Sequence, residues 1–246
     1  MRASKAAVAS VLALTALLLT GCAQSVDPIE RLGKKAVTYG AKGVRSGPGV
    51  PVVTRVRTSD KVVFLTYDDG VEQDPRFVEL VRERRLPVSM FLTDSVVGPG
   101  YGHFARLQSV GASIQNHTLD HTALRGLPYA GQRHEICGQQ DKLGSRFGLR
   151  PRLFRPPYGT YDTTTLRAAT DCGVGAVVLW RAALEGDHLT YGTGPHHLLP
   201  GDIISLPSTE TTGLTLVDRT TRLLREIEGA GLRVGRLEDY VGQHPM

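Results

Sequence analysis

The stretch Val62-Val63-Phe64-Leu65-Thr66-Tyr67-Asp68-Asp69-Gly70 decides how this chain folds. Its apolar and β-branched residues predict a buried strand, and the glycine ends that strand. Two carboxylates therefore stand together where the strand ends. Neighbouring carboxylates repel each other, so both stay ionised in a confined site only when a cation lies nearby. The alternative is a simple turn in which an aspartate caps the next helix.

Two histidines could complete a metal site with one of these carboxylates. His117 and His121 are four residues apart in Asn116-His117-Thr118-Leu119-Asp120-His121, so a helix here would project both imidazoles from one face. Together with one of the two carboxylates they would give a cation three protein ligands. Positions would remain open for water and substrate, which is typical of a catalytic zinc site.

A third motif, Phe154-Arg155-Pro156-Pro157-Tyr158-Gly159, follows a later predicted strand. Two successive prolines end a strand and expose the backbone groups after them. In this order, the three motifs resemble the polysaccharide deacetylase family, also called the NodB-homology domain or carbohydrate esterase family 4. That family reads TFDDG, then HSxxH or HTxxH, then RxPxG or RPPY. The resemblance covers residues 60–242, which are expected to form the catalytic domain.

The resemblance implies a role for each motif residue. Asp68 would act as general base, and Arg155 would hold that base ionised and oriented, unless it forms only a salt bridge. The backbone N–H of Tyr158 would donate to the oxyanion, a role worth about 3 kcal/mol where such donors have been removed. Zinc is the expected cofactor, although cobalt or nickel would fit the same ligands. The other residues assigned in this way are the metal ligands Asp69, His117 and His121 and the substrate-site residues Pro156 and Trp180.

Beyond residue 60 the chain alternates β-branched runs with polar helical stretches, which predicts a mainly parallel sheet covered by helices. The motifs fall at or just beyond the carboxyl ends of successive strands, where barrel enzymes place their chemistry. The family resemblance implies an α/β fold, a distorted (β/α)7 barrel. We expect seven strands, at 61–67, 88–92, 113–116, 153–155, 176–180, 202–206 and 233–237, and five helices, at 75–85, 103–110, 129–147, 162–172 and 216–230.

The N-terminus predicts export. Residues 1–21 combine a positively charged start, an apolar stretch and the small-residue sequence before Cys22, which resembles a bacterial lipobox. We expect a signal peptide that is cleaved before Cys22, lipidation of that cysteine, and a protein held at the outer face of the cell membrane. An ordinary secretory signal is the alternative. Residues 22–59 predict a basic, flexible tether, either attracted to anionic polymers or simply solvated.

Export permits disulfides, so Cys137 and Cys172 could form a bridge between two helices. Two separately buried thiols are the alternative. The net charge is +5, but the basic residues lack the interleaved aromatics of a nucleic-acid site, so no nucleic-acid partner is expected. We expect a monomer whose partners are an acetylated polysaccharide and, through the lipid, the membrane.

Two departures from the family pattern bear on catalysis. The family has an Asp-Trp pair where this chain has Leu179 before Trp180. It also has a Leu-x-His, whose histidine protonates the leaving group, where this chain has Ser205 and Pro207. General acid catalysis is typically worth about 10²- to 10⁴-fold, and an amine needs it more than an alkoxide does. Substitute donors could come from loop residues His188, His196, His197 and Glu210.

The expected function is that of a metal-dependent hydrolase. It would remove acetyl groups from a cell-wall or chitin-like polysaccharide, either an N-acetylglucosamine polymer or peptidoglycan. The alternatives are an O-acetyl esterase, a metal-bearing pseudoenzyme that binds wall glycan without turnover, and a lipoprotein that captures zinc. Tyr161 could contact sugar or only pack. The histidines that match no motif, expected to be surface or structural residues, are His103, His134 and His244.

Overall fold

The computed structural model describes residues 49–207 and 213–241, and within these ranges ten strands form one curled sheet. The strands are β1 Val52–Val53, β2 Val62–Asp69, β3 Ser89–Leu92, β4 Ser113–Asn116, β5 Leu153–Phe154, β6 Ala176–Val178, β7 Ala182–Glu185, β8 His188–Tyr191, β9 Ile203–Leu206 and β10 Arg233–Val234. The helices are α1 Pro75–Arg84, α2 Asp94–Val97, α3 Tyr101–Ser109, α4 Tyr129–Phe147, α5 Thr163–Asp171 and α6 Leu216–Gly229. Short 3-10 helices occupy Gly98–Gly100, Pro157–Gly159 and Leu237–Asp239. No helix in the described ranges is long and apolar enough to cross a bilayer.

The sheet is parallel except at one hairpin. Its strands run in the order β1-β6-β5-β4-β3-β2-β9-β7-β8, and β10 pairs with the start of β2. All seven predicted strands and all five predicted helices are present, with bounds shifted by at most a few residues. The predicted α/β barrel class is therefore confirmed. Because the strands are parallel, the loops after β2, β4 and β5 meet at one edge of the sheet.

Side chains of β2 alternate between two cores. Val62 and Phe64 enter the interior of the curled sheet, where they meet Phe91, Leu153 and Ile203. The residues between them, Val63 and Leu65, belong to the outer core beneath the helices. Successive side chains of a strand point to opposite faces. The inward series of β2 therefore continues through Thr66 to Asp68.

The predicted tether ends earlier than expected. Val52 and Val53 pair with β6, and the backbone N–H of Val56 donates to the Gly201 carbonyl at 2.8 Å. Arg55 also bridges to Asp202 across the sheet. Residues 49–59 thus belong to the folded domain, because this segment links β6 to the start of β9. The sequence pattern did not indicate β1 because the strand has only two residues and its neighbours are polar or glycine-rich.

A hairpin was missed by the sequence analysis. β7 and β8 pair antiparallel around a two-residue turn in which Gly186 has φ 66. Glycine is favoured in such turns because it adopts positive φ without steric cost. Alanines in β7 have low strand propensity, which explains why the pattern did not indicate this strand. The hairpin adds β8 as an edge strand next to β7.

Helices α4 and α5 are joined covalently. Cys137 and Cys172 form a disulfide with a Cα–Cα distance of 5.0 Å. The start of α5 is fixed by a capping box, in which the Asp162 side chain accepts from the Thr165 N–H. Helix α4 also packs against β4, the strand that leads to His117. The disulfide and the cap therefore hold α4 and α5 beside that strand.

Candidate active site

The two carboxylates of β2 lie at the edge where the loops meet. Asp68 keeps the inward direction of the strand, and Asp69 adopts a left-handed φ of 66. Gly70 follows with φ 89, and a Cβ there would lie 2.9 to 3.0 Å from the side chains of Val97, Leu92 and Phe104. Only glycine fits this position without displacing its neighbours. The tight turn lets adjacent carboxylates act on the same neighbour, because burial lowers the pKa of His117 and the charges of both carboxylates partly oppose that shift.

The segment that carries the two histidines is not helical, so the condition under which a helix would project both imidazoles from one face is not met. His117 continues from β4 in extended form, and Thr118 and His121 adopt φ values of 75 and 54. The Asn116 side chain accepts from the Thr118 N–H at 2.9 Å, which favours a turn over a helix. A carboxylate oxygen of Glu135 on α4 accepts from the Asp120 N–H at 3.0 Å.

The turn nevertheless brings both imidazoles to Asp69. One Asp69 oxygen lies 3.4 Å from Nε2 of His117 and 3.0 Å from Nε2 of His121. The three ligand atoms all lie within 4.8 Å of one another. Nδ1 of His117 is 2.7 Å from the Arg155 carbonyl, so an N–H there leaves Nε2 to bind a cation. Two imidazoles and a carboxylate are a donor set that suits zinc.

The pKa values of the two histidines are shifted in opposite directions. Burial lowers the pKa of His117, and the charges of Asp68 and Asp69 only partly offset this effect. The pKa of His121 is raised, because the hydrogen bond and the charge of Asp69 outweigh burial. His117 is therefore neutral and able to bind a cation at neutral pH, whereas a cation must compete with a proton for His121.

Asp68 is held by two donors, one on each oxygen. Nη1 of Arg155 donates to Oδ1 at 2.7 Å, and the Ser205 hydroxyl donates to Oδ2 at 2.9 Å. The Arg155 side chain is fully buried and that of Asp68 is 11% exposed. The expected contact between Arg155 and Asp68 is therefore present, and Ser205 is a partner that the sequence analysis did not predict.

Hydrogen bonds and two aromatic rings hold the guanidinium of Arg155 in place. It donates to the Thr66 hydroxyl at 2.9 Å and to the carbonyls of Val178 and Leu179 at 3.1 and 3.3 Å. Its planar face lies 4.4 Å from the centroid of the Phe91 ring. Trp180 covers it from another side, at 5.3 Å. The arginine therefore joins β2, β5 and β6 and cannot leave Asp68 without breaking several hydrogen bonds.

The Pro156-Pro157 turn places Tyr158 beside the histidines. Tyr158 has φ 59, and its ring packs edge-on against His121 with centroids 4.8 Å apart. Tyr158 is 39% exposed, so it forms part of the rim of the site. Within the described ranges no group accepts a hydrogen bond from the Tyr158 N–H. Pro156 is buried and its carbonyl accepts from the Gly159 N–H at 3.0 Å.

Backbone strain is concentrated at this site. Five described residues other than glycine have positive φ, and four of them are Asp69, Thr118, His121 and Tyr158. Such conformations cost about 1–3 kcal/mol each and persist where the surrounding structure enforces them. They cluster at functional sites in proteins. Bringing these side chains together therefore lowers the free energy of unfolding of the protein.

Two of the proposed substitute donors lie at the wrong edge of the sheet. Arg181 donates to the carbonyl of His197, and its own backbone N–H donates to Ile203, at the start of β9. The loop with His196 and His197 therefore lies at the amino end of β9, whereas Asp68 lies beyond its carboxyl end. His188 stands at the tip of the hairpin, and its ring lies 3.6 Å from the exposed Asp187.

The remaining sequence predictions are placed as follows. His103 is buried against Phe104, with ring centroids 5.1 Å apart, and His134 is exposed. Tyr161 is half-buried. Cys22, Glu210 and His244 lie outside the described residues. The inward direction of Ser205 could have been found from sequence, because the period of two that sends Ile203 inward also sends Ser205 inward, but its contact with Asp68 could not.

Comparisons with known proteins agree with the geometry. A family model described as polysaccharide deacetylase matches residues 55–177. An uncharacterized protein from Streptomyces coelicolor is 66% identical over 192 residues, which make up 78% of this chain and 77% of that protein.

Solved structures share the fold at low sequence identity. The structure of a peptidoglycan N-acetylglucosamine deacetylase superposes with a TM-score of 0.68 at 20% identity, covering 78% of this chain and 94% of that one. A carbohydrate esterase family 4 pseudoenzyme from Bacillus anthracis superposes with a TM-score of 0.64 at 17% identity, covering 78% and 72%. The same fold thus occurs both in a protein described as a deacetylase and in one described as a pseudoenzyme.

Proposed function

Because the chain belongs to the polysaccharide deacetylase family, we propose that it is a metal-dependent hydrolase of acetyl groups on a polysaccharide. The leading substrate class is an N-acetylglucosamine polymer or peptidoglycan. One observation carries the proposal. The ligand atoms of Asp69, His117 and His121 converge beside Asp68, whose carboxylate is held by Arg155.

Each residue has a distinct part in the reaction. Asp69, His117 and His121 would hold the cation, for which zinc is the first choice and cobalt or nickel would also fit. A divalent cation there would supply Lewis acidity towards an acetyl carbonyl and a water molecule. Asp68 would take the proton from the attacking water as general base. Arg155 holds the Asp68 carboxylate in place, since its buried Nη1 donates to Oδ1 at 2.7 Å.

Two groups at the rim would bind the substrate. The backbone N–H of Tyr158 is the candidate oxyanion donor, because the described residues leave it available. Its strained backbone is maintained by the Pro156-Pro157 turn. Trp180 is half-buried against Arg155, so part of its ring can contact a sugar. These groups position the acetyl group, and Asp68 activates the water.

The leaving group receives less help than in the usual family pattern. Pro207 follows β9 where the family has its acid histidine, and proline has no proton to give. An amide needs protonation of its nitrogen more than an ester needs protonation of its oxygen. An O-acetyl esterase is therefore a second candidate. A glycan-binding pseudoenzyme is the third, and the loop position of His196 and His197 favours it because it removes two substitute donors.

Export and lipidation at Cys22 complete the proposal. The disulfide between Cys137 and Cys172 supports this part, since such bonds persist in oxidising compartments outside the cytoplasm. We place the protein at the outer face of the cell membrane, where wall glycan would be within reach. A monomer without a nucleic-acid partner stays the expectation.

The test is acetate release by the zinc-loaded protein lacking residues 1–22. N-acetylated glycan, peptidoglycan and O-acetylated xylan are offered in parallel. Asp68→Asn should abolish release on the preferred substrate while zinc still binds. Asp141→Asn is the matched control, because Asp141 is an exposed aspartate of α4 that pairs with Arg150. No release on any substrate, with zinc bound in the wild type, would favour the pseudoenzyme.

A further inference from the structure

Ser205 occupies a position that faces the interior of the curled sheet. β9 pairs in parallel with β2, and Ser205 stands level with Thr66 in that register. Ile203 enters the interior core, so two residues later the Ser205 side chain points the same way. Only 2% of Ser205 is exposed. A buried hydroxyl needs a partner, and here the partner is Oδ2 of Asp68 at 2.9 Å.

The hydroxyl completes the fixation of the Asp68 carboxylate. Arg155 holds Oδ1, so without Ser205 the carboxylate could rotate about its bond to Cβ and keep the arginine contact. Thr66 cannot replace Ser205, because its hydroxyl already accepts from Arg155 and donates to the Ile204 carbonyl. Each carboxylate oxygen has two acceptor sites, so both oxygens can still bind water.

We propose that Ser205 is a positioning residue that fixes the orientation of the Asp68 carboxylate for the reaction. The proposal rests on the proposed function, since it assigns to Ser205 the control of the general base. A hydroxyl can donate or accept, so Ser205 stays hydrogen-bonded to Asp68 when Asp68 takes a proton from water. An apolar side chain at this position would lose the contact in both states.

The proposal predicts a specific kinetic change. In Ser205→Ala, kcat should fall about 10- to 100-fold, the range for one hydrogen bond to a charged group. KM and zinc stoichiometry should stay unchanged, since the hydrogen bond of the Ser205 hydroxyl goes to Asp68 and not to a proposed metal ligand. Ser205→Thr should recover most of the lost kcat, because threonine keeps the hydroxyl and is favoured in strands.

Ser89→Ala is the matched control. Ser89 is equally buried and, like Ser205, pairs with Thr66 in the sheet, but its hydroxyl donates to Glu238 at 2.8 Å and not to a residue of the site. This variant removes the same hydroxyl from the same sheet, at a neighbouring strand, without removing a hydrogen bond to Asp68 or Arg155. Its kcat should equal that of the wild type, and a loss as large as in Ser205→Ala would show that any buried serine has this effect.

Two results would overturn the proposal while the proposed function stands. One is wild-type kcat in Ser205→Ala with zinc bound. The other is a loss of kcat together with zinc, or a loss that Ser205→Thr does not recover although it folds, because either shows a general structural role.

If the wild type releases no acetate, the proposed function fails, and the role of Ser205 is decided by crystal structures of wild type and Ser205→Ala. A carboxylate of Asp68 that rotates away from its wild-type plane supports the positioning role. An unchanged carboxylate overturns it.

Discussion

Replacing Arg155 with methionine tests how strongly the base is held. The side chain of Arg155 is fully buried, and methionine keeps much of its volume without its charge. The substitution leaves the Asp68 carboxylate, which is 11% exposed, without the positively charged guanidinium that pairs with it. The Thr66 hydroxyl and two backbone carbonyls also lose the hydrogen bonds that they accept from Arg155.

The expected cost is about 3–5 kcal/mol, the usual loss when one partner of a buried ion pair is removed. For a domain of this size about 1 kcal/mol corresponds to 2–4 °C in Tm, so the melting temperature should fall by about 6–20 °C. Adding Asp68→Asn removes the unpaired charge. The double variant should therefore lose about 1–3 kcal/mol less than the sum of the two single variants.

The assay is denaturant unfolding of the chelated protein, so that metal binding does not add to the measured free energy of unfolding. Wild type, both single variants and the double variant form one cycle. A loss below about 1 kcal/mol in Arg155→Met, or strict additivity in the double variant, would refute the view that the buried pair is a coupled unit.

Three further predictions follow from the structure. Replacing Cys137 and Cys172 with alanine should cost about 4 kcal/mol in denaturant unfolding, the chain-entropy value for a separation of 35 residues, and a loss under 1 kcal/mol would contradict this. Burial lowers the pKa of His103 in the folded protein, so His103 binds a proton more readily in the unfolded chain. The free energy of unfolding should therefore fall as the pH drops below about 6.5. In His103→Phe the decline of Tm with falling pH should be smaller. Glu135→Ala frees the Asp120 N–H and should weaken zinc binding about 10-fold in chelator competition, whereas Glu135→Gln keeps an acceptor and should stay near wild type.

The sequence predicted the elements whose pattern is strong. β2 combines β-branched residues with a terminal glycine, and α4 was predicted with its observed bounds, Tyr129–Phe147. The candidate ligands Asp69, His117 and His121 were named from their motifs, and the structure brings them together.

What the sequence did not predict depends on contacts between distant residues. Residues 117–121 form a turn and not the helix that the spacing of the histidines left open, because Asn116 binds the Thr118 N–H and Glu135, on another element, binds the Asp120 N–H. The contact of Ser205 with Asp68 joins residues 137 positions apart. It requires the register between β2 and β9, which the pattern of either strand alone does not contain.

The short elements were missed for a different reason. β1 has only two residues, and its partners, Val177 and Val178, lie on the distant strand β6. The hairpin of β7 and β8 is built partly from alanines, and only Gly186 indicates its turn. Such segments become strands because neighbouring strands offer hydrogen-bonding partners, and their own propensity contributes little.

The most direct test of the central claim is a zinc titration of the chelated protein with acetate release from N-acetylated glycan as the readout. The chelated protein should be inactive, and the rate should rise with added zinc until one equivalent is bound. Full activity after complete removal of metal, or no acetate when one equivalent of zinc is bound, would contradict a metal-dependent deacetylase built on Asp69, His117 and His121.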